Sequence, residues 1–231
     1  MIKFPYEEKD KTNEDNDYIK SVNMILMKQH LKNIFDISAI DNKIMNYATI
    51  TSVFRKYITK KKKENIIGSK IILSQILKLP NNEMNEIVFI VEQMDKIKNV
   101  ISLNGEYNRL DIAMLLRGIK QKFIDSILTL CICDEYSSNK SSIISKIEQN
   151  ELNKIRLKYQ TLRDFIYKEK LETISELKPI IDGKTIKNTL DIKQGKCLGY
   201  LLEELIKYQI MNKNITKESA IDYLRTKINN K

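Results

Sequence analysis

Few side chains in this sequence have the type and spacing that catalysis demands. Asp134 and Glu135 are adjacent carboxylates. Two-metal phosphoryl chemistry needs two or three carboxylates on a rigid strand, set beside a tight glycine turn. Neither a strand pattern nor a glycine precedes Asp134, so the pair reads as the polar end of a helix. The one histidine, His30, leaves no Ser/His/Asp or Cys/His set to assemble. Cys131, Cys133 and Cys197 lack the partners of a zinc site, and the first two sit in an apolar run as buried thiols of a reducing, intracellular compartment. No phosphate-binding glycine loop or dinucleotide fingerprint occurs. The sequence therefore predicts no catalytic residue and no metal ligand in this chain.

Two segments instead have the chemistry of binding. In the first, Arg156, Tyr159, Arg163, Tyr167 and Lys170 recur at three-to-four spacing and share one stripe of a helix. Cations interleaved with tyrosines suit a sugar-phosphate backbone. The competing reading puts Tyr159 in the packing seam and leaves the cations merely solvated. The second segment runs from Ile181 to Leu205. Gly183 is expected to turn the chain before a short helix, and Gly195 to open the next one. Free backbone N–H groups and the positive end of the dipole meet there, flanked by Lys193 and Lys196, with Lys184 nearby. Gly199 is expected to let the short helix pack closely. The alternative for Gly195 and Lys196 is a helix-turn-helix corner whose glycines serve packing alone.

Long helices must position these residues. With 6 Gly and 3 Pro in 231 residues, the tight turns of a sheet protein are scarce, and no stretch alternates like a strand. The pattern predicts an all-α, multi-helix chain. Residues 1–15 are expected to fray, 16–136 to form one helical domain and 137–231 a second, with a linker at 137–139. Helices are predicted from Asn16 or Asp17 to Phe35, over Ala39–Ile58 and over Ile66–Leu79. Asn81 or Asn82 is expected to cap another that carries Ile87 to Met94. The segment from Tyr107 to Glu135 is apolar nearly all round, as a central helix would be. Further helices are predicted over Ile144–Leu171, Thr185–Leu190, Lys196–Met211 and Lys217–Ile228. In the first of these, Leu152, Ile155, Tyr159, Leu162 and Ile166 make a narrow apolar seam.

The formal net charge is +10 and the pI about 9.3. Such a surplus attracts polyanions, although lysine-rich composition alone can produce it. The run Lys60–Lys63 is either a phosphate contact or a solvated helix end. Early acids (Glu7, Glu8, Asp10, Glu14, Asp15) fit neither a signal nor a transit peptide. The longest apolar stretch, near Ile127–Cys133, falls short of the ~18 residues of a membrane helix, so no membrane partner is expected.

Ile181-Asp-Gly-Lys184, Leu190-Asp-Ile-Lys-Gln-Gly195, Leu198-Gly199 and Leu201-Leu-Glu-Glu-Leu205 together resemble the tail of class II CCA-adding tRNA nucleotidyltransferases. Leu73–Pro80 and Arg109–Ala113 resemble body segments of eukaryotic members. The sequence departs at Asp191, where the family usually has glycine, and at Gln194 and Lys196, where it has prolines. Cys197 stands where isoleucine is frequent. The resemblance implies an elongated helical body and tail with no catalytic head, 16–136 as the neck and body and 137–231 as the tail, whose helices grip the acceptor and T-arm backbone of tRNA. A head absent from this chain, or a separate subunit, would add CCA with Mg2+, CTP and ATP. The alternative is a helical protein-interaction or general RNA-binding scaffold, for which the seam along Leu152–Ile166 could pair with a partner helix.

Overall fold

A computed structural model describes residues 19–27, 42–54, 72–101, 105–138, 140, 142–143, 145–193, 195–212 and 214–229. The expectations for the frayed residues 1–15, for His30 and for the Lys60–Lys63 run lie outside these residues. So do the caps at Asn16 and Asp17 and the helix ends at Phe35 and Ile58. The described residues are helical with no strand: the fold is all-α. They form α1 (19–27), α2 (Asn42–Phe54), α3 (Asn81–Val100), α4 (Arg109–Leu116), α5 (Gln121–Ser138), α6 (Gln149–Lys168), α7 (Gly183–Leu190), α8 (Lys196–Met211) and α9 (Lys217–Asn229). A π helix spans Ile72–Ile76 and a 3-10 turn spans Ile174–Glu176.

The chain divides into two compact units, each discontinuous in sequence. One comprises Met1–Gly105 with Lys122–Arg163, and the other Glu106–Gln121 with Asp164–Lys231. Ser137, which the sequence suggests for a linker, is fully buried in the last turn of α5.

The first unit is organised around α5, in which every residue from Phe123 to Asp134 is buried. A helix so surrounded is largely apolar around its circumference, as Ile124, Ile127, Leu128, Leu130, Cys131 and Ile132 are, with Asp125 and Asp134 as its buried charged residues. From α3, Ile87, Ile90, Val91, Met94 and Ile97 are buried, as are Met24 and Met27 of α1 and Ile44, Met45 and Ala48 of α2. Burial pushes the Cys131 thiol up to about 12, an inert side chain whose Sγ lies 3.7 Å from the Met94 carbonyl.

The second unit holds a compact core of Ile181, Ile186, Leu201, Leu205, Ala220 and Leu224, contributed by α7, α8, α9 and the residues just before α7. Leu201 and Leu205 on α8, and Ala220 and Leu224 on α9, each lie one turn apart on one face, which lets these helices close on one another over Ile186 of α7.

Three local expectations need correction. The apolar segment from Tyr107 to Glu135 is two helices, α4 and α5. The break falls at Arg117–Lys120, where Gly118 is exposed and the Ile119 N–H donates to the Leu116 carbonyl at 2.8 Å, a tight turn that ends α4. The N-cap of α3 is Pro80 instead of an asparagine: its carbonyl accepts from the Met84 N–H at 3.0 Å, and no side chain caps the end. Proline's extended ψ of 147° sets the entrance before Asn81 can. Upstream, in place of an α-helix reaching Leu79, the chain makes the π helix Ile72–Ile76. It closes with the Leu79 N–H on the Leu73 carbonyl at 2.9 Å.

Candidate nucleic-acid interface

Of the stripe, Tyr159 is buried, Arg156, Arg163 and Tyr167 are half-buried, and Lys170, just past α6, is exposed. Leu152, Ile155, Tyr159, Leu162 and Ile166 are all buried, so the seam that could have met a partner helix is occupied within this chain. Tyr159 is 1% exposed, and its hydroxyl donates to Glu135 Oε2 at 3.0 Å. Burial, followed by the neighbouring acidic groups, raises its ionisation well above the usual tyrosine range. Arg163 makes a two-pronged contact with Asp125, Nε to Oδ1 at 2.8 Å and Nη2 to Oδ2 at 2.9 Å. Arg156 is half-buried. Lys170, at φ 55°, is the left-handed residue that ends the α6 turn: its N–H donates to Tyr167 and that of Leu171 to Ile166.

The reason lies on α5. Asp125, Asp134 and Glu135 are carboxylates on a central helix, and a buried charge must be paired. Arg163 takes Asp125 and Lys158 takes Glu135. Lys98 of α3 and Lys20 of α1 share Asp134, the latter at 2.8 Å. Burial opposes ionisation of Asp134, but the two ammonium groups outweigh it and hold the carboxyl below its ordinary value. Asp134 and Glu135 are therefore ion-pair anchors of the first unit. Among the described residues no group of three His, Cys, Asp or Glu side chains converges as a metal site. These residues do not fit a metal pair.

The turn between α7 and α8 is arranged in the opposite sense. Asp182 caps α7, accepting the Thr185 N–H at 2.7 Å. That bond holds its carboxyl below the ordinary range. Gly183 is the first residue of α7 and has no positive φ, so it is not needed for a special turn. Its Cα instead faces Leu198 and Leu202, at van der Waals distance of 3.5 and 3.7 Å from where a Cβ would stand. Asp191 ends α7 in the left-handed conformation, φ 48° and ψ 46°, with its N–H on the Lys187 carbonyl.

Gly195 then opens α8 at φ 146° and ψ −157°, a conformation essentially restricted to glycine. It brings no side chain to cap the helix. The first helical bond is Gly199 N–H to Gly195 O, 3.2 Å, so the N–H groups of Lys196, Cys197 and Leu198 have no acceptor inside the helix. Lys184, Lys193, Gly195, Lys196 and Gly199 are exposed. A Cβ at Gly199 would meet open space. This corrects the packing role expected of Gly199: close approach occurs at Gly183.

Two clusters in the second unit escaped sequence reasoning. Arg109 donates to the Ile210 carbonyl at 3.0 Å and the Glu169 carbonyl at 2.8 Å, and pairs with the Glu169 carboxylate. It ties the start of α4 to the turn just after α6 and to the last turn of α8, where unpaired carbonyls collect. Glu204, 8% exposed, receives Lys207 at 2.9 Å, Lys227 at 3.1 Å and the Tyr223 hydroxyl at 3.3 Å. The hydrogen bond from Lys207 is foremost in holding its carboxyl below the ordinary range. Tyr223 stacks on Tyr208, centroids 4.1 Å apart and planes 9° from parallel. An acid at Glu204 followed three residues later by Lys207 was the visible signal; the contribution of α9 was not visible.

Known proteins bear on this arrangement. No family profile and no solved structure matches the chain. A mitochondrial CCA tRNA nucleotidyltransferase of Saccharomyces cerevisiae is 27% identical over 173 residues, 72% of this chain and 30% of that protein. A tRNA nucleotidyltransferase of Schizosaccharomyces pombe is 26% identical over 172 residues, 71% of this chain and 32% of that protein. The mitochondrial CCA tRNA nucleotidyltransferase of Candida glabrata is 23% identical over 126 residues, 53% of this chain and 22% of that protein. The chain thus spans about a third or less of the length of the relatives it matches. On this shared sequence, the chain is similar to part of three fungal tRNA nucleotidyltransferases, two of them named as CCA tRNA nucleotidyltransferases.

Proposed function

We propose that this chain is a tRNA-holding helical region of a CCA-adding tRNA nucleotidyltransferase, corresponding to its C-terminal body and tail. The observation that carries this reading is the start of α8, an uncapped helix end with exposed backbone at Gly195 and Gly199 and exposed Lys193 and Lys196 beside it. Free N–H groups, the positive end of the helix dipole and two ammonium groups together suit a backbone phosphate. Lys184, exposed in the first turn of α7, adds charge to the same compact unit. Contacts of this kind recognise the shape of a folded RNA through its phosphates and sugars, without reading bases.

In this reading the acceptor and T-arm backbone of tRNA is the partner. Addition of CCA, with Mg2+, CTP and ATP, belongs to a catalytic head, in the same or a separate polypeptide. The similarity of the chain to three tRNA nucleotidyltransferases supports that assignment, and the surplus charge of +10 agrees with it. Cys131 and Cys133 are buried and outside any disulfide, which suits an intracellular, reducing compartment. No described helix is long and apolar enough to cross a membrane.

Filter binding of tRNA at two salt concentrations tests the proposal. Affinity should fall steeply as salt rises. Lys196→Glu should weaken binding about fivefold or more, roughly 1 kcal/mol, and lower the salt slope by about 1. Binding that ignores both salt and Lys196→Glu would refute the phosphate site.

A further inference from the structure

We draw no further inference here: the strongest candidate, the side-chain cluster between α8 and α9 in which Lys207, Lys227 and the stacked Tyr223 converge on the buried Glu204, satisfies its own charges and hydrogen bonds, and nothing in the structure shows what would cover it.

Discussion

The two cation-rich segments have similar compositions and opposite fates. On α6, Tyr159 and Arg163 are drawn onto Glu135 and Asp125 of a buried neighbouring helix. Around the α7–α8 turn, Lys184, Lys193 and Lys196 stay exposed, beside a helix end that nothing caps. Spacing along a helix says which side chains share a face. Whether that face is available to RNA depends on which carboxylates the rest of the fold leaves in need of a partner.

The largest expected effect would come from breaking the α6 side of this contrast. Arg163→Ala leaves Asp125, a carboxylate 6% exposed as a residue, without its two-pronged partner. Losing a buried pair costs up to 3–5 kcal/mol; with Arg163 partly exposed, a loss of about 2–3 kcal/mol is expected. Chemical denaturation should show an earlier midpoint with an unchanged slope. The tRNA affinity of the folded variant should match the parent. A variant of normal stability that bound tRNA poorly would put Arg163 back at the RNA surface.

Acid titrates the same unit. Asp134 ionises more readily in the folded state than its ordinary value near 3.8, so its ion pairs with Lys20 and Lys98 contribute stability above that pH. As pH falls through the folded value, the carboxylate protonates and that stability is lost. Denaturation midpoints measured from pH 5 down to pH 2 should therefore decline, and Asp134→Asn should flatten the decline. An Asp134→Asn profile as steep as the parent's would show that other carboxylates dominate.

The α7–α8 turn should respond through its backbone. Gly195→Ala has open space for its methyl group but would be held in a glycine-only conformation. The expected cost is about 1–2 kcal/mol, read as an earlier denaturation midpoint and weaker tRNA binding together. Full stability in Gly195→Ala would mean that the turn relaxes easily into another shape.

How much of this was legible beforehand varies with the range of the interaction. α8 was expected and found at Lys196–Met211, and the last helix differs from expectation by one residue at its end. Both carry strong apolar periodicity, a local property. The Gly195 opening was legible for the same reason, since a glycine before a periodic run has few structural uses. The inward turn of Arg163 was not: Asp125 lies 38 residues away, in a segment whose dominant signal is apolar. Arg109 was harder still, because its acceptors are main-chain carbonyls 60 and 101 residues distant, groups every residue possesses. Gly199 was misread because the sequence offers two glycines near the α7–α8 packing, and only the fold distinguishes Gly183, which faces Leu198, from Gly199, which faces solvent.

The smallest effects sharpen the contrast within the turn itself. Asp191 occupies a left-handed position at φ 48°, where glycine has no Cβ to strain. Asp191→Gly should therefore stabilise by at most about 1 kcal/mol, less whatever the more flexible unfolded chain takes back. Gly199→Ala acts in the same direction by a different route, because a helical, exposed glycine with free space gains about 0.5–1 kcal/mol on becoming alanine. The two part company in RNA binding. Asp191→Gly also removes a negative charge near Lys193 in sequence and should leave affinity equal or slightly higher. Gly199→Ala adds a methyl group one turn into the helix whose start is proposed to meet phosphate, and should lower affinity while raising stability. A stabilised Gly199→Ala protein that binds tRNA as tightly as the parent would confine the contact to the lysines and the first N–H groups of α8.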